Sequence, residues 1–249
     1  MFFPLKSSLN LNGFPVIVWL LIVINCAIFV YFNLYPYGLL YTDYGFISSK
    51  LTVPNEIIGI TEKIYPFFSY MFLHNGFFHL FLNMYFLYVF GKNVELYMGT
   101  FKFMLAYLLA GVVAIVCDAF INSDNTYPVI GASGAVYGVV GMYLVFFPFT
   151  KIKTFIFLIL YISTKYIPTI LFIVVMFMLE LLSFYCFQYL DKYVEEYSFI
   201  PQIMNSYFGL TAYIVHLGGF VAGVFIGIVV KFCNTFHSQK EEAEEISIH

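Results

Sequence analysis

The chain has 249 residues, of which 62% are hydrophobic, 22% aromatic and only 10% charged, and its mean hydropathy is +0.89. Soluble domains carry about 25% charged residues, so a soluble globular fold is excluded and a multi-pass membrane protein is expected. The net charge of −3, with every basic residue a lysine, gives no surface for nucleic acid.

In chain order, the first long apolar run covers 14–34, long enough to cross a bilayer at about 20 residues. No small-residue cleavage site follows it, so it reads as a retained first span. Residues 35–76 form a long connection, with Asp43, Lys50, Glu56, Glu62 and Lys63 set among aromatics. Short helices at the outer membrane face are expected there. Five further spans are predicted near 77–98, 101–121, 131–147, 168–189 and 207–232. The apolar run between Lys151 and Lys165 is too short to cross and reads as an extension or interfacial segment. Residues 1–236 thus make one domain, followed by an acidic tail over 237–249 (Glu241, Glu242, Glu244, Glu245) expected to be disordered. Cys26, Cys117, Cys186 and Cys233 lack CxxC spacing and lie in or beside apolar segments, where buried free thiols are expected. The predicted fold class is an all-α polytopic bundle of six transmembrane helices with a long outer loop between the first two.

Lysine placement orients these spans. With the N-terminus cytoplasmic, Lys6, Lys92, Lys102, Lys151, Lys153, Lys165, Lys231 and Lys240 fall inside, while Lys50, Lys63 and Lys192 fall outside. That asymmetry satisfies the positive-inside rule with both termini in the cytoplasm. Spans two, four and six then all run from outside to inside.

Ser133 and His216 each stand at the head of a glycine stripe: Gly134, Gly138 and Gly141 in one case, Gly219, Gly223 and Gly227 in the other. Small residues four apart let helix backbones approach closely in lipid. If the stripes face each other in parallel helices, hydroxyl and imidazole arrive at similar depth. Alone, a serine in a spanning helix usually packs or bonds its own backbone, and a lone histidine usually makes a polar contact. Their coincidence makes a nucleophile and its base. His79 and Asn83, four apart, share a helix face on the same side of the membrane. They could donate to a developing oxyanion. Tyr137, one turn after Ser133, is spaced to pack beside it and contact an adjacent ring.

Two carboxylates remain. Asp118, near the outer end of span three, reads as solvated. Glu180 interrupts an apolar run in mid-span and reads as an inward carboxyl, protonated or hydrogen-bonded, with a substrate path or gating role as the alternative. No third member of a Ser-His-acid triad is evident, so a dyad is expected, its imidazole oriented by an aromatic ring. A zinc site is excluded because His79 is followed by Leu80 rather than by the glutamate of His-Glu-x-x-His. A pair of facing aspartates is lacking too.

These residues resemble the rhomboid family of intramembrane serine proteases over most of 66–230. His79-x-x-x-Asn83, with His74 upstream, resembles that family's oxyanion-side motif, and Glu95-x-x-x-Gly99 the segment closing span two. Gly131-x-Ser133-Gly134 with Tyr137 is similar to the nucleophile motif, and His216-x-x-Gly219-x-x-x-Gly223 to the base-carrying last helix. Two places depart from the pattern. Tyr65-Pro66 stands where many rhomboids have Trp-Arg, and the basic residue often found between the glutamate and glycine is absent, with Tyr97 nearby.

The resemblance implies Ser133 as nucleophile and His216 as general base and acid. The Ser133 backbone, His79 and Asn83 would stabilise the oxyanion, with Gly131, Gly134, Gly138, Gly219, Gly223 and Tyr137 supporting. It implies no metal or cofactor, and transmembrane-helix proteins in the bilayer as substrates. The alternative is a catalytically silent rhomboid-like protein that binds transmembrane segments.

Overall fold

The computed structural model describes residues 2–9, 11–34, 40–158, 161–194 and 210–248. The start of the expected outer loop (35–39), the start of the expected last span (207–209) and residue 249 lie outside them. In chain order come β1 (Phe2–Ser7), α1 (Val16–Leu34) and the short helices α2 (Leu40–Tyr44), α3 (Ile60–Ile64) and α4 (Pro66–Ser69). A helical path follows through α5 (Phe77–Phe86), a π-helical turn (Leu87–Gly91) and α6 (Lys92–Met98). Then come α7 (Thr100–Ile121), α8 (Ser133–Phe146), β2 (Lys151–Leu158), β3 (Tyr161–Pro168), α9 (Thr169–Val194) and α10 (Leu210–Ile248).

Among the described residues, four helical stretches are long and apolar enough to cross a membrane: Val16–Leu34, Thr100–Ile121, Thr169–Cys186 and Ala212–Thr235. The protein is therefore mostly helical and is an integral, multi-pass membrane protein. α8 is the shorter apolar helix at the centre. Ten of its fourteen residues are buried, whereas α1 buries only four of nineteen. Large side chains left exposed, such as Phe78, Phe120 and Phe232, lie on the outward surfaces of apolar helices, as a lipid-facing surface requires.

Contacts fix the direction of each helix against α8. Gly134 meets Gly219, Gly138 meets Gly223, and Met142 lies beside Gly227, so α8 and α10 run parallel. Along α7 the order reverses, since Gly134 lies against Ala114 and Gly138 against Ala110. The Phe77–Met98 path is parallel to α8: His79 lies beside Gly131 at one end, and Tyr97 packs on Phe146 at the other with ring centroids 4.4 Å apart. α9 is antiparallel to α10, with Phe177 against Phe220 at 4.9 Å and Phe184 against Tyr213 at 6.0 Å.

The Glu95–Gly99 segment shows how one motif holds two helices. The buried Glu95 carboxylate accepts the backbone N–H groups of Ile17 and Val18, both at 2.9 Å. It satisfies donors that α1 cannot satisfy internally and places negative charge at the positive end of the helix dipole. Four residues on, Gly99 turns the chain into α7 at φ +89°, where a side chain would be strained.

Four expectations are corrected. The fold is not all-α, because β1, β2 and β3 form an antiparallel sheet in that order. The segment read as interfacial supplies β2 and β3, and its mix of β-branched and aromatic residues suits a pleated surface: Ile152 and Thr154 are buried on one side, while Lys151 is exposed on the other. The hairpin returns the chain to its starting point, Lys151 opposite Pro168, so it adds no crossing. Second, the tail is not irregular. α10 continues through Glu241–Glu245 to Ile248, a stretch rich in the good helix formers lysine, glutamate and alanine. Third, Asp118 is not solvated but fully buried, accepting a hydrogen bond from Asn122 Nδ2 at 2.7 Å. Fourth, the cysteines are free, but Cys26, Cys186 and Cys233 are exposed on helix surfaces instead of buried.

Candidate active site

Ser133 is the first residue of α8. Fourteen helical residues rise only about 21 Å, less than the roughly 30 Å of a hydrocarbon core. A helix that short covers the remaining depth with irregular backbone, which lipid tolerates only where protein or a cavity satisfies it. Here Gly131 N–H donates to the Tyr70 carbonyl at 2.9 Å and Ala132 N–H to His74 Nε2 at 3.4 Å. The N-terminus of α8 has no side-chain cap. The first N–H groups of the helix, Ser133's among them, therefore lack intrahelical acceptors and sit at the positive end of its dipole.

Gly131 makes the approach possible. It sits at φ +123°, and a Cβ there would lie 2.7 Å from His79 Nε2 and 3.8 Å from Asn83 Nδ2. His79 and Asn83 thus face the turn that delivers Ser133. The buried Asn83 Nδ2 has no hydrogen-bond acceptor among the described residues. His74 lies in the connection before α5 and packs edge-on against His79 with ring centroids 5.1 Å apart. Burial, and secondarily the neighbouring His79, lower its pKa to about 3. It therefore stays a neutral acceptor for the Ala132 N–H at ordinary pH.

His216 comes from α10. Gly219, three residues on, packs directly on the Gly134 backbone, and Val215, one residue before, faces Gly134. The imidazole stacks on Tyr137 at 4.2 Å with the rings 5° from parallel, as the sequence spacing predicts. Ser133 and His216 share this end of the α8–α10 pair without a hydrogen bond between them. Hydroxyl–imidazole contacts in unliganded sites are often looser than in the working complex.

Glu180 is the inward, hydrogen-bonded carboxyl expected from the sequence, but its partner is His216, for which the sequence offers no acidic neighbour. His216 Nδ1 bonds the carboxylate Oε1 of Glu180, on α9, and Tyr137 OH donates to Oε2 of the same carboxyl at 3.1 Å. Depth counting puts these groups at one level of the bundle but does not set them face to face. Glu180 lies eleven residues past Thr169 and Tyr137 nine before Phe146, and Thr169 and Thr150 pair at the sheet end with Oγ1 atoms 2.9 Å apart. At 1.5 Å per residue both positions are roughly 14–17 Å from that end. The remaining stripe glycines lie between helices. Gly138 faces Ala110 and the Gly219 carbonyl, and Gly223 packs on the Gly138 backbone.

These features define a multi-pass helical membrane protein in which serine, histidine, carboxyl and amide groups converge at one end of a glycine-packed helix pair. Residues 61–231 match the family model of the Rhomboid domain, and the chain belongs to the rhomboid family. It is similar to Rhomboid-like protein 11, chloroplastic, of Arabidopsis thaliana, with 43% identity over 74 residues, or 30% of this chain and 26% of the relative. Similarity to the putative rhomboid protease YdcA of Bacillus subtilis is 26% over 132 residues, covering 53% and 62%. Rhomboid protein 1, mitochondrial, of Saccharomyces cerevisiae is 30% identical over 152 residues, covering 57% and 39%. The matched part is thus less than two thirds of each relative's length.

Proposed function

We propose that the protein is an intramembrane serine endopeptidase that hydrolyses peptide bonds in or near transmembrane helices of membrane-protein substrates. The observation that carries this reading is the convergence of Ser133, His216, His79 and Asn83 where α8 begins. Ser133 Oγ attacks the scissile carbonyl carbon while its proton passes to His216. The histidine then protonates the leaving amine, and water, activated by the same base, hydrolyses the acyl-enzyme and regenerates the serine. The oxyanion is held by the Ser133 backbone N–H, His79 and Asn83. Because a helical backbone shields its own peptide bonds, preferred substrates unwind easily near the cut.

Six crossings with both termini cytoplasmic accommodate this site, which then opens toward the outer face. The lysine distribution supports that orientation, since Lys6, Lys151, Lys153 and Lys165 all lie on the sheet at the opposite end from Ser133. The rival reading, a silent binder of transmembrane segments, separates at one residue. In liposomes, wild-type protein is expected to cleave a model transmembrane substrate and react with a fluorophosphonate. Ser133→Ala and His216→Ala should lose cleavage, and Ser133→Ala should also lose labelling. Wild-type protein that neither labels nor cleaves would establish the silent reading.

A further inference from the structure

We infer that Glu180 is a positioning residue that holds His216 in its Nδ1–H tautomer, so that the serine–histidine pair works with its base oriented by a carboxylate. The inference rests on the protease reading and adds a residue to it.

Three observations from three helices meet at one ring. Glu180 stands alone in the apolar run Phe177-Met178-Leu179-Glu180-Leu181-Leu182 of α9, where an ionisable side chain is costly without a partner. Its two oxygens are engaged separately: Oε1 by His216 Nδ1 and Oε2 by the Tyr137 hydroxyl. Tyr137 also stacks flat on the imidazole, so one tyrosine fixes both the plane of the base and the second oxygen of its acid. Glu180 and His216 side chains are 17% and 16% exposed, which shields the pair from competing water.

The chemical consequence concerns a single proton. A carboxylate can only accept, so the neutral histidine must carry its hydrogen on Nδ1. The lone pair is then on Nε2, the nitrogen left to take the serine proton. When that proton arrives, the imidazolium forms beside a negative carboxylate already in place and needs no reorganisation. Glutamine would keep the shape but could turn its amide NH₂ toward Nδ1. That favours the opposite tautomer, with Nε2 protonated and unable to act as base. The corresponding acid-to-amide change in a serine–histidine–aspartate triad costs about 10⁴ in kcat.

The test uses the full chain in liposomes with a model transmembrane substrate, together with ¹⁵N-histidine NMR of the same protein in micelles. Glu180→Gln is expected to lower kcat by about 10²–10⁴ while KM stays within about threefold, because a positioning residue acts on the base and not on substrate binding. Glu180→Asp, with a shorter reach but the same acceptor chemistry, should recover part of that loss. Resting wild type should show His216 as the Nδ1–H tautomer, a readout that needs no variant to fold. Three results would overturn the inference: an Nε2–H tautomer in wild type, Glu180→Gln turning over at the wild-type rate, or Glu180→Asp as slow as Glu180→Gln. Wild-type protein with no activity would instead remove the protease reading, and this inference with it.

Discussion

At the scale of single residues, the site gathers buried polar groups beside the N-terminus of α8, and one of them lacks a partner. Asn83 buries an amide nitrogen with no acceptor among the described residues, a cost of about 1–3 kcal/mol that a folding requirement alone would select against. In the proposed mechanism its acceptor is the oxyanion, which forms only during reaction. Asn83→Ala should therefore lower kcat by about 10²–10³, with fluorophosphonate labelling of Ser133 less affected than peptide cleavage. Equal cleavage by the alanine variant would remove Asn83 from the oxyanion site. Glu95 makes the contrasting case: it is just as buried, but both its oxygens are used to cap α1, so its role is architectural.

At the scale of elements, the α8–α10 pair depends on backbone contact. A Cβ on Gly219 or Gly223 would strike the carbonyl oxygen of Gly134 or Gly138, and neither backbone can retreat without parting the helices. At Gly227 the nearest atoms would be 3.0–3.3 Å away and include the Val145 side chain, which can shift. Alanine at Gly219 or Gly223 is thus expected to cost about 1–3 kcal/mol and to cut activity at least tenfold by displacing His216. Alanine at Gly227 should retain most activity. Thermal unfolding and turnover of the three variants, measured together, check the ordering; equal tolerance at all three would mean the contact does not set the site.

At the scale of the whole molecule, the sheet, the N-terminus of α1 and the ends of α6 and α8 share one end, while Ser133, His74 and the short helices α2–α4 share the other. The bridge Phe46↔Val129 ties the segment after α2 to the approach to Ser133. For the proposed orientation, single cysteines placed at Asp124 and at Ser8 in a background lacking the four native cysteines should label differently. A membrane-impermeant maleimide should reach position 124 in intact cells and position 8 only after permeabilisation. The reverse pattern would invert the protein in its membrane and turn the site toward the cytoplasm.

The sequence alone determined the membrane class, the place of the apolar helices and the candidate nucleophile, base and oxyanion donors. Hydrophobic length, lysine asymmetry and glycine spacing are local patterns, each with a direct physical cause. The strands were not legible: 151–158 alternates only over Lys151-Ile152-Lys153 before an apolar run, and a partner strand at residues 2–7 is distant in sequence, pairing being a property of two segments. Tertiary structure decided the burial of Asp118 and, above all, the place of Glu180. One carboxyl in an apolar run can face lipid, water or a neighbour, and its sequence reads alike in all three cases. Only the packing of α9 against α8 and α10 chooses among them, and it sets that carboxyl on His216.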